Sequence, residues 1–161
     1  MNEKLEKARK VVKDYMWWSM GAGLVPVPIM DIAAVTAVQL MMLSKLAKHY
    51  NIQFSKERSR AIIISLIATL SVSTISRGFI SSSVKTIPIV GTLTSPFIMP
   101  TVSAALTYAI GIVFIQHFES GGTFLDFNTE KTKSFFKLQF EESLKNMGQN
   151  IKDINKIKDV T

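Results

Sequence analysis

The chain has 161 residues, enough for one domain with a buried core. It is 47% hydrophobic but only 19% charged, below the roughly 25% charge usual for soluble domains, so it is either a helical protein with much buried surface or one that meets lipid. The absence of cysteine excludes a disulfide framework and a thiolate metal site, while a formal charge of +7 leaves acidic partners, nucleic acid and anionic lipid open.

That charge is segregated. Residues 1–14 carry five basic and three acidic side chains, residues 45–60 five basic and one acidic, and the tail from Glu119 seven of each. Between them lie residues 15–44, with Asp31 as the only charge, and residues 61–118, with only Arg77 and Lys85. Wet and dry segments alternate along the chain.

The first dry segment contains MWWSMGAGLVPVPIMD. Pro26 and Pro28 break the backbone pattern, because proline lacks an N–H and biases its predecessor away from the helical region. Asp31 stands where a helix N-cap belongs, its carboxylate able to accept the free N–H groups of the next turn. The expected structure is a helix to about residue 20, a Gly/Pro link through Gly21 and Gly23, and a second helix from 32 to 49. Each apolar limb of about fifteen residues reaches about 22 Å against a hydrocarbon core of about 30 Å, so neither spans comfortably. Trp17 and Trp18, beside Tyr15, suit either a core or the headgroup level of a membrane. Gln39, a lone amide in an uncharged run, is expected to bond a neighbouring helix and fix its register.

Beyond the basic loop with Lys45, Lys48, Lys56, Arg58 and Arg60 comes AIIISLIATLSVSTIS. Its β-branched content would allow a strand pair, but Ala61, Ser65, Thr69 and Ser73 recur every four residues, a ridge of small side chains that lets another helix approach closely. Ser103, Thr107 and Gly111 repeat that spacing, so the two segments are expected to be partner helices. Between them runs KTIPIVGTLTSPFIMP, in which Pro88, Gly91, Pro96 and Pro100 forbid a regular helix although no charge follows Lys85. Such an apolar connection requires cover by protein, by another subunit or by the membrane interface. With both basic zones on one side, positive loops place that side in the cytoplasm, and both hairpins enter from it, the second being the better candidate to cross. No secretory signal is visible, since the basic start is mixed with Glu3, Glu6 and Asp14 and lacks a small-residue cleavage site.

Gln116, His117 and Glu119 form a polar cluster at the end of a long apolar helix, where they cap and anchor it or, alternatively, handle a proton or bind a ligand. Gly121 and Gly122 stop that helix, and Asn128 or Thr129 caps the next. From there Phe136, Phe140, Leu144, Met147, Ile151 and Ile154 form an amphipathic stripe that packs on the protein itself or docks a partner. His49 and His117 are the only imidazoles, and no close carboxylate cluster joins them, so no metal site is expected. His49 reads as a helix-end residue favourable to the dipole. The basic loop is a solvated surface or a site for anionic lipid; without an aromatic-interleaved basic surface, nucleic acid is not an expected partner. No G-x-x-x-x-G-K-[ST] or G-x-S-x-G motif occurs. No catalytic residue, cofactor or enzyme activity is expected.

GAGLVPVPIMDIAAVTAVQLMMLSKLAKHYNI, then IPIVGT, then TYAIGIVFIQHFESGGTFLDF resemble the YcjF-like family of bacterial membrane-associated domains of unknown function, over residues 11–142. Such domains often occur fused behind an Era-like GTPase domain or encoded beside a P-loop protein. The resemblance implies a helical membrane-associated module and brings no catalytic residues. Lacking a phosphate loop, this chain would need any such GTPase in trans.

The resulting expectation is an all-α protein of two apolar helical hairpins with broken tips plus an amphipathic C-terminal helix: a domain at residues 1–142 and a helical extension at 143–161. It would sit at the cytoplasmic face of the bacterial inner membrane as a homo-oligomer that binds lipid and serves as anchor or adaptor for a partner. The alternatives are a self-assembling pore, with Gln39 and Arg77 facing a polar path, and a soluble helical oligomer that hides both tips.

Overall fold

A computed structural model describes the backbone of residues 2–22, 28–77 and 98–158 and the side chains of residues 2–22, 33–70 and 100–147. Five helices and no strand occur among the described residues: α1 (Glu3–Ala22), α2 (Pro28–Tyr50), α3 (Lys56–Arg77), α4 (Ile98–Glu119) and α5 (Thr129–Lys158). The protein is all-α.

The helix ends follow from local chemistry. Asn2 caps α1, its Oδ1 accepting the Lys4 N–H at 3.2 Å, and Glu3 and Glu6 place negative charge on the first turn, where the dipole favours it. Asn51, at φ 57°, ends α2, with the Ile52 N–H returning to the Ala47 carbonyl at 2.8 Å. Ser55 caps α3 weakly, with the Arg58 N–H at 3.4 Å from its Oγ. Gly121, at φ +82°, ends α4; its N–H bonds the Phe118 carbonyl at 3.0 Å while that of Gly122 bonds His117 at 2.9 Å. A left-handed residue at this point lets the chain turn back and satisfy carbonyls the helix would leave open. Asn128, as its position suggests, caps α5 by accepting the Lys131 N–H at 3.0 Å.

The core is organised around α4, which touches all four other helices and packs most extensively on α1 and α5. Its residues 100–119 are long and apolar enough to cross a membrane, yet 67% of that stretch is buried within the chain. Helix α1 lies antiparallel to α4: Ser19 meets Ser103, and Val12 meets Gly111 two turns further along. Helix α2 runs with α4, since Gln39 reaches Thr107 and Tyr50 reaches Glu119. The Tyr50 and Glu119 end is filled by aromatic rings, with Phe114 stacked on Phe127 at 4.8 Å and Phe124 edge-on to Phe118 at 5.3 Å. Phe136 and Phe140 from α5 are buried in the same core.

Several expectations are corrected here. Helix α2 starts at Pro28, not residue 32, so Asp31 lies within its first turn and is not the N-cap; a proline at the first helical position forfeits no hydrogen bond and its fixed φ suits the helix. Gly21 belongs to the last turn of α1, and Pro100 is buried in the first turn of α4, for the same N-terminal tolerance. The small ridges of α3 and α4 do not pair. Ser103, Thr107 and Gly111 receive α1, whereas Ala61 and Ser65 are exposed and Thr69 is half-buried. The expected hairpins therefore interleave, with α4 packed most closely on helices other than α3. Gly23, Pro26, Pro88, Gly91 and Pro96 lie outside the described residues, as do the side chains of Pro28, Asp31, Ser73, Arg77, Ile151 and Ile154. Helix α5 runs unbroken across residue 142.

Candidate functional site

Where α1, α2 and α4 meet, four oxygen-bearing groups line up. Gln39 Nε2 donates to Thr107 Oγ1 at 3.3 Å, Thr107 donates to Ser19 Oγ at 2.8 Å, and Ser19 donates to the Ser103 carbonyl at 3.1 Å. All three side chains are fully buried. The chain of donors leaves Gln39 Oε1 without a partner. Interhelical hydroxyl and amide contacts of this kind hold register where apolar packing is non-directional. Sequence reasoning singled out Gln39 and Thr107 but missed Ser19, whose available signal was its place with Ala8 and Val12 on the buried face of α1.

The arrangement makes opposite predictions for its two ends. Thr107→Val strips the amide of its remaining partner and is expected to destabilise by about 1–2 kcal/mol, the penalty for a buried polar group left unpaired. Gln39→Leu removes the unpaired oxygen while leaving the Thr107–Ser19 bond, and is expected to be neutral or stabilising. Urea unfolding of both variants checks the difference in sign.

The exterior changes character along the helices that surround this junction. On α1 the exposed side chains are polar or charged from Asn2 to Asp14, and beyond them come Trp17 and Trp18, 61% and 63% exposed. On the antiparallel α2 the exposed column is Ala33, Ala37 and Met41, then Lys45 and Lys48. The two switches coincide: the Lys45 ammonium lies 5.7 Å from the Tyr15 ring centroid, and Tyr15 contacts Trp18 at 5.8 Å. The tryptophans are thus surface residues, which removes the core reading for them. Helix α3 shows the same change, from Lys56, Glu57, Arg58 and Arg60 to Ala61, Ile64, Ser65 and Ala68. Helix α5 does not; Glu130, Lys133, Glu141, Glu142 and Lys145 keep its outer side charged.

At the charged end, a second cluster ties the elements together. The Tyr50 hydroxyl donates to the Glu119 carboxylate at 2.6 Å, the Lys4 ammonium sits 4.6 Å over the Tyr50 ring, and His49 Nε2–H donates to the Lys4 carbonyl at 2.8 Å. Burial first, and then the carboxylate beside it, push the Tyr50 phenol well above its ordinary pKa. His117 donates through Nε2–H to the Thr123 carbonyl at 2.8 Å. Asp126 accepts from the Thr123 hydroxyl at 2.5 Å and its N–H at 2.6 Å, which holds that carboxyl below the usual range. Gln116 contributes its carbonyl to Ser120. Gln116, His117 and Glu119 therefore close the end of α4, and their partners Tyr50, Thr123 and Asp126 were not identified from sequence.

The other candidates separate. Lys45, Lys48, Lys56, Arg58 and Arg60 are all exposed. Phe136 and Phe140 are buried, which removes them as lipid or partner contacts, and Leu144 is partly buried against the core; the described part of the α5 stripe is thus covered by the chain's own α3 and α4. Gln39 faces α1 and α4 inside the bundle, which removes it from the polar path that a pore would need.

The model of a family described as a domain of unknown function, DUF697, matches residues 1–145, which include every residue of both clusters. The chain belongs to that family. The chain is similar to magnetosome membrane protein 22 of Magnetospirillum gryphiswaldense, 36% identical over 135 residues that make up 84% of this chain and 69% of that protein. No solved structure matches. These similarities agree with the expected domain of unknown function, and neither concerns a GTPase.

Proposed function

We propose that this DUF697 chain is a non-enzymatic, membrane-associated helical module at the cytoplasmic face of a bacterial inner membrane, serving as anchor or adaptor for a protein partner. The observation that carries this reading is the coincident change of α1 and α2 from a charged to an apolar exterior, marked by the outward Trp17 and Trp18 and by the Lys45 ammonium over the Tyr15 ring that Trp18 contacts. Tryptophan favours the headgroup level because its ring is apolar and its N–H is polar. The description of the magnetosome relative as a membrane protein supports it. The charged outer side of α5 suits contact with water or with a soluble partner, of which a P-loop GTPase encoded separately is the candidate. A body with one apolar and one charged flank sits at a surface more readily than it is ringed by lipid.

Trp17 and Trp18 are the chain's only tryptophans, so their fluorescence reports this surface alone. The full chain is expected to float with phospholipid vesicles and its emission to shift to the blue. Replacing both tryptophans with alanine should abolish most of the flotation. A chain that stays at the bottom of the gradient, with unchanged emission, would overturn the reading.

A further inference from the structure

We propose that Lys45, Tyr15 and Trp18 form a binding site for the phosphate headgroup of an anionic phospholipid, a site that rests on the membrane reading above. Three features of the α1–α2 surface meet there. The Lys45 side chain is exposed and forms no ion pair among the described residues. Its ammonium lies 5.7 Å from the centroid of Tyr15, a half-buried ring held against the core, so the cation is kept beside α1. Trp18 contacts Tyr15 at 5.8 Å and projects outward.

From Lys45 the outer column of α2 continues one turn to Met41, half exposed, and another to Ala37. The surface thus presents a cation, then an aromatic pair, then aliphatic side chains. A phospholipid presents its complement in that order: phosphate, ester region, acyl chain. Among the described residues, Arg58 and Arg60 of α3 lie over no aromatic ring. Nearby charge adds to the attraction. Exposed Lys48 lies one turn from Lys45 on α2, while exposed Asp14, one turn from Trp18 on α1, offsets part of that charge. An acidic protein would satisfy the lysines, but it would leave Trp18 and Met41 against a polar surface. Lipid covers both.

The test compares binding of the full chain to phosphatidylcholine vesicles and to vesicles containing phosphatidylglycerol. The expected result is tighter binding to the anionic vesicles, weakened about fivefold by Lys45→Gln, the effect of one near-surface cation, and restored by Lys45→Arg. Lys45→Gln should leave binding to phosphatidylcholine unchanged, and Lys145→Gln on α5, the same charge change elsewhere, should leave both unchanged. Soluble glycerol phosphate should not alter tryptophan emission; a shift equal to that seen with vesicles would overturn the lipid assignment in favour of free phosphate. Equal losses from Lys45→Gln and Lys145→Gln would overturn the site while leaving membrane binding intact. Failure to bind either vesicle would overturn the membrane reading and the site together.

Discussion

Phe114→Ala is expected to destabilise the fold by about 3–5 kcal/mol, the range for an aromatic ring deleted from a packed core. Phe114 is fully buried on α4, and its ring lies 5.5 Å from Phe118, 5.3 Å from Phe124 and 4.8 Å from Phe127. Two of these neighbours belong to the segment between α4 and α5, so the ring holds that segment on the bundle as well as filling space. Against a typical domain stability of about 5–15 kcal/mol the loss is a large fraction. Urea unfolding followed by circular dichroism should show a lower midpoint, with Phe114→Leu intermediate. A loss below about 1 kcal/mol would mean that the 120–128 segment does not pack on α4.

The second large effect is expected at Gly111, where Val12 of α1 packs against the backbone of α4. A Cβ placed there would lie 2.5 and 2.6 Å from the two methyl carbons of Val12 and 3.1 Å from its Cβ. Rotating the valine does not relieve the contact with its Cβ, so the helices themselves must separate. Gly111→Val is therefore expected to cost about 3 kcal/mol, the upper part of the usual range for overpacking. Separation would also stretch the Ser19–Thr107 and Ser19–Ser103 bonds. Combining it with Val12→Ala removes the two closest methyl carbons but leaves the 3.1 Å Cβ contact, and should recover part of the loss. No recovery in the double variant would show that α1 does not dock on this face of α4.

Much of the candidate surface was legible in the sequence as composition. The change from Asp14 to Trp17 and from Met41 to Lys45 is visible in one dimension, but only the antiparallel pairing of α1 and α2 brings the two changes to one level. Gln39 was legible as a helix-to-helix contact because a lone amide in an apolar run needs a hydrogen-bonding partner, although the sequence left a polar pore path open to it as well. Its partners were not, since Thr107 is 68 residues away and Ser19 lies 88 residues from Thr107. The α5 stripe showed that Phe136 and Phe140 need cover, but periodicity is the same whether the cover comes from the chain or from a partner.

By itself the sequence determined the all-α class, the family and several helix ends. These depend on short-range chemistry: alternating charged and apolar segments, a capping Asn128, a left-handed Gly121. Tertiary structure decided which helix fills the small-residue ridge of α4, and that Pro28 begins a helix instead of ending a link. A ridge of small side chains states how closely a neighbour comes, not which neighbour, and a proline states only what it cannot donate. Those choices belong to the packing of distant segments, whose contacts no local pattern encodes.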